Sequence, residues 1–424
     1  LVGAGAVVSV VAEGYNSGIS YGIILPLGFI FGAILLAIFG YKIKEFSAKH
    51  DIYTIVEFFE KRFDRKNKIL VGFLQIILLL FWIGIQAVAF ASLASVLIGF
   101  DYIFALILAS VITILYTAIG GLKVDIISDF IQFWIIFIMF IVIFVIGLGN
   151  VGGFENLFSS LPQGHLDVFS FGGIGFFISA TLFSGFLFIA GTQNWQRIIS
   201  AKNKEVARKS FLLSIPFLII ISIFTLFMGL FSSVLLEGIN KNTAIFSLMQ
   251  NILPTALYGI GLASILAVIM SSIDSLLIGG STIISREIFK KRYVGDKEKL
   301  LFARLLTGIF GVVGFLVALI FPDIVNLSIL QGTMALIFPA AIIAGLYSKR
   351  VSSNASFYSI LIPFVLLVIF FSISIGSIHQ VSFSISAKTG VAPTYDTHVA
   401  VAIHVDSGTI TSSPTPIPRA FMLI

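Results

Sequence analysis

The sequence predicts an all-α membrane protein with about eleven transmembrane segments. Hydrophobic residues make up 58% of the 424 residues, and charged residues make up only 11%. A soluble domain has roughly 25% charged residues. Apolar stretches of about 20 residues, the length needed to cross a bilayer, recur along most of the chain. These observations indicate a polytopic protein embedded in a lipid bilayer.

Each predicted span is an apolar stretch bounded by polar or turn-forming residues. The spans lie at residues 19–41, 69–98, 102–119, 126–148, 172–192, 211–236, 256–285, 301–321, 324–347 and 357–378. Residues 1–14 are an eleventh, partial span. The chain opens inside this stretch without an initiator methionine, and we therefore expect it to begin partway through a helix.

The basic residues fall on one side of these spans. If every span crosses once, all of the 26 Lys and Arg residues except Lys241, Lys388 and Arg419 lie in the same set of loops. The opposite loop at 150–172 contains none. The positive-inside rule makes the basic side cytoplasmic. The net charge of +6 therefore reflects cytoplasmic loops, and we expect no nucleic-acid partner.

Three segments are predicted not to cross the membrane. Residues 45–67 place Ile55, Phe58, Phe59 and Phe63 at helical spacing, which predicts a short helix on the cytoplasmic membrane surface. Residues 153–162 predict a similar short helix outside. Residues 379–424 are rich in Ser, Thr, Pro and Val, and we predict a disordered tail or sequence foreign to the gene.

The span at 256–285 carries an unusual polar cluster of Ser271, Ser272, Asp274 and Ser275. An ionised Asp at the bilayer centre costs about 2.5–3.5 kcal/mol on insertion scales. Residues 271, 274 and 275 share a helix face and could present hard oxygen ligands to a small cation. The alternative is that the serine hydroxyls bond to carbonyls one turn earlier, which is common in membrane helices.

A second carboxylate lies in the span at 126–148. Asp129 sits about one turn inside this span, deeper than Asp125, which could be interfacial. A carboxylate within the membrane requires a partner or an ion. Position alone leaves two interpretations of Asp129 open, an ion-binding group and a capping or interfacial carboxylate.

Uncharged polar residues and glycines are candidates for a solute site. Gln86 and Gln193 could hydrogen-bond a solute, or could equally hold neighbouring helices together. Gly3 and Gly5 interrupt an apolar stretch. Glycines permit the broken helices that mark transporter sites, and they also permit ordinary close helix packing.

Enzyme classes receive no support from the sequence. It contains no cysteine, which excludes thiolate metal sites and a Cys nucleophile. A G-x-G-x-x-G match at 147–152 follows a membrane helix without a βαβ context, so it does not indicate a dinucleotide site. We therefore predict that the protein is not an enzyme.

Several separated motifs resemble the sodium:solute symporter family. The stretches YTAIGGLKVDIISDFIQFW (116–134), MSSIDSLLIGGSTIISREIFKK (270–291) and PAAIIAGLYSKRVSSNAS (339–356) are similar to its fifth, eighth and tenth core helices. GTQNWQRIISAKNKEVARKS (191–210) and YTIVEFFEKRF (53–63) add to the match. The resemblance covers roughly residues 1–355.

This resemblance implies a LeuT-like fold of two inverted five-helix repeats with flanking helices. The expected organisation is a first repeat at 1–148 with an incomplete first helix, an extracellular loop at 149–171, a second repeat at 172–347, an additional helix at 348–378 and the tail at 379–424.

The resemblance also implies a principal sodium site between the first and eighth core helices. The hydroxyl residues of the eighth helix match Ser271 and Ser272, and a backbone carbonyl one turn earlier matches Val268. The first core helix normally supplies two further carbonyls. Its first half is absent from this sequence, so we expect half of this site to lie outside it.

Some family members have a second sodium site that uses an acidic residue of the fifth core helix. That residue matches Asp129, with Ser275 and the position of Asp274 opposite. Asp274 adds a carboxylate that not all members have, so the resemblance leaves the number of sodium ions open.

The resulting functional prediction is sodium-coupled symport of a small organic solute, such as an amino acid like proline, a sugar or a carboxylate. The expected partners are the solute, sodium and the bilayer of a prokaryotic cell membrane. One alternative is a proton-coupled carrier of the same fold, in which Asp129 or Asp274 titrates. An alternative of another class is a membrane sensor input domain.

Overall fold

A computed structural model describes residues 3–98, 101–288, 296–321, 324–389, 405–406 and 409–410. The regular secondary structure of these residues is helical, apart from one pair of two-residue strands. In chain order the helices are α1 (Ala4–Ser17), α2 (Ile19–Gly22), α3 (Ile24–His50), α4 (Ile55–Arg62), α5 (Arg65–Ile98), α6 (Tyr102–Val151), α7 (Phe154–Ser160), α8 (Gly173–Ala190), α9 (Thr192–Ser200), α10 (Lys204–Leu235), α11 (Ala244–Ile252), α12 (Thr255–Ile288), α13 (Asp296–Ile320), α14 (Ile324–Ala335), α15 (Pro339–Tyr347) and α16 (Ser353–Thr389).

The predicted membrane spans are confirmed in number and place. Within the described part of the chain, ten segments are long and apolar enough to cross a membrane. The partial span at 1–14 corresponds to α1, which at 14 residues is shorter than these ten. The two short helices expected between spans are present as α4 and α7.

Two predicted spans are broken helices in the structure. The span predicted at 172–192 ends at Ala190, and Gly191 separates α8 from α9. The span predicted at 324–347 is divided between α14 and α15, where Pro339 occupies the first turn of α15. Proline lacks a backbone N–H and favours a helix start, which explains the second division.

Two spans are predicted at 102–119 and 126–148, whereas helical hydrogen bonding runs through the whole of α6. The first half of α6 lies antiparallel to α13, since Tyr102 bonds to Ala318 and Ile119 bonds to Arg304. The second half lies antiparallel to α12. Both halves have the length and hydropathy of a separate membrane span, at Tyr102–Ile119 and Asp125–Val151.

The helix contacts are symmetric between the two predicted repeats. Helix α1 packs on α10, and α3 packs on α8. Each contact joins the first span of one repeat, α1 or α8, to the second span of the other repeat, α10 or α3. Glycines allow the closest of these approaches. A Cβ on Gly229 of α10 would lie 2.7 Å from the Cα of Gly14 on α1, so the two backbones are in direct contact.

The chain divides into residues 1–364 and residues 365–424. In the second unit, α16 continues to Thr389, so the first eleven residues of the predicted tail at 379–424 are helical, and the alternative of sequence foreign to the gene stays a prediction. The sequence contains no proline between Pro363 and Pro393 that would interrupt this helix, and Gly390 directly follows its last residue. Val405 pairs with Ile410 in the antiparallel strands β1 (Val405–Asp406) and β2 (Thr409–Ile410). The rest of the predicted tail lies outside the described residues.

Candidate functional site

The second half of α6 and the middle of α12 meet through facing oxygen side chains. Ser271 donates a hydrogen bond to the Oδ1 atom of Asp129. One turn along both helices, the Ser275 hydroxyl lies 3.2 Å from the Oδ1 atom of Asp125 and donates to it. Residues four apart share a helix face, which is why the two serines meet the two carboxylates in antiparallel order.

Arg197 of α9 enters the same group. Its Nη2 atom lies 2.7 Å from Asp129 Oδ2 and 2.9 Å from Ser275 Oγ. The same atom lies 4.0 Å from Asp125 Oδ2. The sequence placed Arg197 only among the basic loop residues. Only 3% of Asp125 is exposed, so the residue is buried against its neighbours, and its predicted interfacial position stays a prediction.

Ser272 faces a different neighbour. Its hydroxyl donates to the Val268 carbonyl oxygen at 3.0 Å, as the back-bonding alternative predicts. A Cβ on Gly3 would lie 2.9 Å from Ser272 Oγ and 3.3 Å from Gln86 Nε2. The start of α1, the middle of α5 and the middle of α12 therefore meet at these residues.

Gln86, where α1, α5 and α12 meet, has a side-chain oxygen that accepts no hydrogen bond from the described residues. Its side chain is 1% exposed, and its Oε1 atom has no hydrogen-bond partner among the described residues. A buried amide oxygen without a partner is unfavourable by about 1–3 kcal/mol. The Oε1 atom of Gln86 can therefore accept a further hydrogen bond, and the predicted solute contact stays a prediction.

Asp274 has different hydrogen-bond partners from Asp129 and Ser275. Its Oδ1 atom accepts hydrogen bonds from the Tyr116 hydroxyl and, at 2.7 Å, from Thr117 Oγ1. The Oδ2 atom has no hydrogen-bond partner among the described residues, and only 1% of the residue is exposed. The structure therefore does not bring Asp274 to the predicted partners of the second sodium site.

The break between α8 and α9 frees backbone carbonyls, and side chains satisfy them. Asn194 donates to the Phe188 carbonyl at 2.9 Å, and Trp195 donates to the Ile189 carbonyl at 2.8 Å. Gln75 of α5 donates to the Ala190 carbonyl at 3.1 Å. These bonds hold α9 in a fixed position behind the break.

The remaining predicted solute residues are not shown to join Gln86. Gln193 lies in the first turn of α9, where its Oε1 atom has no partner among the described residues. Gly5 lies in the first turn of α1. Tyr116, Thr117 and Arg197 were missed from the sequence as site residues, although the first two form a hydroxyl pair inside a predicted span.

Residues 1–363 match the sequence model of the sodium:solute symporter family. The chain belongs to this family. Sodium is a transported substrate of this family rather than a resident cofactor. The carboxylate, hydroxyl and carbonyl oxygens around Asp129, Ser271 and Ser272 are chemically suited to bind a sodium ion.

The symporter chain is similar to characterised relatives over much of its length. It is 23% identical to a sodium/glucose cotransporter of Vibrio parahaemolyticus, across 87% of this chain and 76% of the relative. It is 26% identical to a sodium/proline symporter of Staphylococcus aureus (strain bovine RF122 / ET3-1), across 63% of this chain. The chain spans 55% of the length of that second relative.

A solved structure confirms the fold of the symporter chain. The substrate-bound outward-open state of a Na+-coupled sialic acid symporter superposes with a TM-score of 0.72 at 19% sequence identity. The match covers 87% of this chain and 85% of that structure. The predicted LeuT-like fold of inverted repeats with flanking helices is therefore confirmed, whereas the exact repeat boundaries stay a prediction.

Proposed function

We propose that this multi-pass protein carries out sodium-coupled symport of a small organic solute across the prokaryotic cell membrane. The observation that carries the proposal is the bond between Ser271 of α12 and Asp129 of α6. It joins a hydroxyl and a carboxylate from the two predicted repeats within a membrane protein of this family. Neither group is needed for helix formation, and together they supply the oxygen ligands that sodium requires.

The proposed principal sodium ligands are Ser271, Ser272 and the Val268 carbonyl. Ser272 and Val268 are already within 3.0 Å of each other, so one ion could contact both oxygens once the hydroxyl hydrogen turns away. Asp129, bonded to Ser271, supplies negative charge beside this site. Each sodium entering down 100 mV would provide about 2.3 kcal/mol for solute accumulation.

The proposed solute site adjoins the sodium ligands through Gln86 and Gly3. Ser272 lies between the two sites, because a Cβ on Gly3 would contact both Ser272 Oγ and Gln86 Nε2. Contact between the sites allows each ligand to raise the affinity for the other. Gln86 offers an uncharged amide, which favours a zwitterionic or neutral solute. Proline and glucose, named for the relatives, are the first candidates.

Uptake into proteoliposomes tests this function. The full chain is reconstituted and supplied with radiolabelled proline, glucose or sialic acid in inward gradients of sodium or of choline. We expect one solute to accumulate only with sodium, and we expect Asp129→Asn to raise the half-saturating sodium concentration for that uptake strongly. Asp101→Asn, at the exposed N-cap of α6, is the matched control. Sodium-dependent uptake that survives Asp129→Asn and Ser271→Ala unchanged would contradict the proposed site.

Proton coupling is the second candidate, and the buried Asp274 carboxylate is the observation that favours it. Its Oδ2 atom, which has no hydrogen-bond partner among the described residues, could carry a proton. Uptake that follows an inward proton gradient in the absence of sodium, and that is lost in Asp274→Asn, would select this carrier.

A further inference from the structure

Arg197 lies between Asp129 and Ser275, which the family resemblance matches to a second sodium site. Its Nη2 atom lies 2.7 Å from Asp129 Oδ2 and 2.9 Å from Ser275 Oγ. These two oxygens belong to different helices, α6 and α12. A nitrogen at hydrogen-bond distance from both leaves no room for an ion between them, so Arg197 and sodium exclude each other at this point.

The charges of this group also indicate that Arg197 and sodium exclude each other. Asp125 and Asp129 are one turn apart, and Asp125 Oδ2 lies 4.0 Å from Arg197 Nη2. Among the described side chains, Arg197 is the cation seen in contact with these two carboxylates. A bound sodium would replace the neutralising role of the guanidinium and repel it, because both carry one positive charge.

The position of Arg197 connects this exchange to the broken helix. Arg197 lies near the end of α9, which follows the break at Gly191. The start of α9 is fixed by the bonds from Asn194 and Trp195 to the freed carbonyls of α8. The contacts of Arg197 with Asp129 and Ser275 therefore link the far end of α9 to α6 and α12.

We propose that Arg197 is a tethered cation that competes with sodium for Asp129 and Ser275, so that sodium binding releases the end of α9 from α6 and α12. The proposal rests on the proposed sodium-coupled function. Competition is reciprocal, since sodium weakens the Arg197 contacts by the same factor by which Arg197 weakens sodium binding. In this scheme the end of α9 is held to α6 and α12 while the site is empty of sodium, and it is released from these two helices when sodium occupies the site.

Sodium titration of purified variants is the first test. Binding of radioactive sodium is measured for the unmodified chain, for Arg197→Gln and for Arg208→Gln. Arg208 is exposed on α10 and has the same charge, which makes it the matched control. Removing the competitor is expected to lower the half-saturating sodium concentration about fivefold or more, the usual lower range of coupling between sites. Arg208→Gln is expected to leave it unchanged.

An unchanged or higher half-saturating concentration in Arg197→Gln would overturn the competition. If the unmodified chain and all variants bind no sodium, the proposed function fails, and the competition fails with it. Sodium binding by the unmodified chain with no gain in Arg197→Gln leaves the proposed function intact and refutes only this inference.

A second test uses the unmodified chain and does not depend on the folding of a variant. Phenylglyoxal modifies accessible guanidinium groups, and mass spectrometry reports the rate at each arginine. We expect saturating sodium, but not choline, to accelerate modification of Arg197 relative to Arg208. An Arg197 rate that is the same in sodium and choline, at a sodium concentration that saturates binding, would contradict the proposal.

Discussion

The Ser271 hydroxyl on α12 donates a hydrogen bond to the Asp129 carboxylate on α6, although the two residues lie 142 positions apart in the sequence. The bond spans the two predicted repeats, and both residues are proposed sodium ligands. Neighbouring serines of α12 have different partners: Ser272 faces Val268 and the start of α1, while Ser275 faces Asp125 and Arg197. Each serine can therefore be tested separately.

Ser271→Ala removes a proposed sodium ligand and the hydrogen bond to Asp129. A hydrogen bond to a charged group contributes about 1.5–3 kcal/mol. We therefore expect the half-saturating sodium concentration for uptake to rise about tenfold or more. The matched control is Ser264→Ala on the same helix, because Ser264 is buried and bonds only to the Gly261 carbonyl in the described structure. Equal sodium responses in the two variants would remove Ser271 from the site.

Gly3→Ala places a methyl group between the sodium and solute sites. The new Cβ would lie 2.9 Å from Ser272 Oγ and 3.3 Å from Gln86 Nε2, so both side chains must move. We expect the KM for solute and the half-saturating sodium concentration to rise together, each by about tenfold, since a small misplacement near a site has large effects.

Gly259→Ala on α12 is the control for this glycine, since a Cβ there meets no atom of the described residues within 4 Å beyond the adjoining backbone. Its transport constants are expected to match those of the unmodified chain. A normal KM in Gly3→Ala would show that the solute does not bind beside Gln86.

Asp274→Asn tests whether Asp274 and Asp129 hold the same ion. In the structure Asp274 bonds to Tyr116 and Thr117 instead of to the Asp129 group. We therefore expect the half-saturating sodium concentration of Asp129→Asn to exceed that of Asp274→Asn by a factor of about ten or more. A factor of ten corresponds to about 1.4 kcal/mol in sodium binding free energy. Thr117→Val, which removes one of the two hydroxyl donors, is expected to have a smaller effect still. Equal losses in the two carboxylate variants would place both carboxylates on one ion.

Glu57→Gln is expected to lower the thermal stability of the protein. Glu57 on α4 is 4% exposed, lies 3.0 Å from Arg286 Nε on α12 and accepts a backbone hydrogen bond from Tyr53 at 2.6 Å. Loss of these charge-assisted bonds should reduce stability by about 2 kcal/mol, seen as a lower Tm in detergent. The guanidinium of Arg286 also lies over the Tyr53 ring, so the contact is well packed.

Glu45→Gln provides the comparison for Glu57. The Lys42–Glu45 pair is 3.3 Å long, but both side chains are largely exposed, at 43% and 48%. Exposed pairs contribute little to stability. We expect no measurable change of Tm in Glu45→Gln, and a similar Tm in both variants would show that the Glu57–Arg286 contact does not anchor α4.

The spacing of the polar cluster predicted that Ser271, Asp274 and Ser275 share one face of the helix, and this prediction is only partly correct. Residues 271 and 275 do share a face, as their separation of four residues requires. Asp274 precedes Ser275 by about 100° of helix rotation, and this rotation turns it toward Tyr116 and Thr117. Helical periodicity specifies which residues point together, but not which neighbour they meet.

The neighbours of Arg197 were likewise not predictable from the local sequence. Its position next to other basic residues predicted a cytoplasmic loop, and the break at Gly191 was not foreseen. A short helix behind this break carries the guanidinium to Asp129, 68 residues earlier. Such a contact depends on the packing of α9 against α12, which no local pattern encodes.

By itself the sequence determined the membrane class and the spans, and it predicted their orientation and the polar residues that need a functional explanation. Hydropathy, loop charge and helical spacing act within one segment, so they can be read in one dimension. The tertiary structure alone decided that Ser271 meets Asp129, that Arg197 occupies the neighbouring space and that Asp274 turns away. These relationships arise from packing between distant helices, where the position and rotation of each helix are set by all its neighbours together.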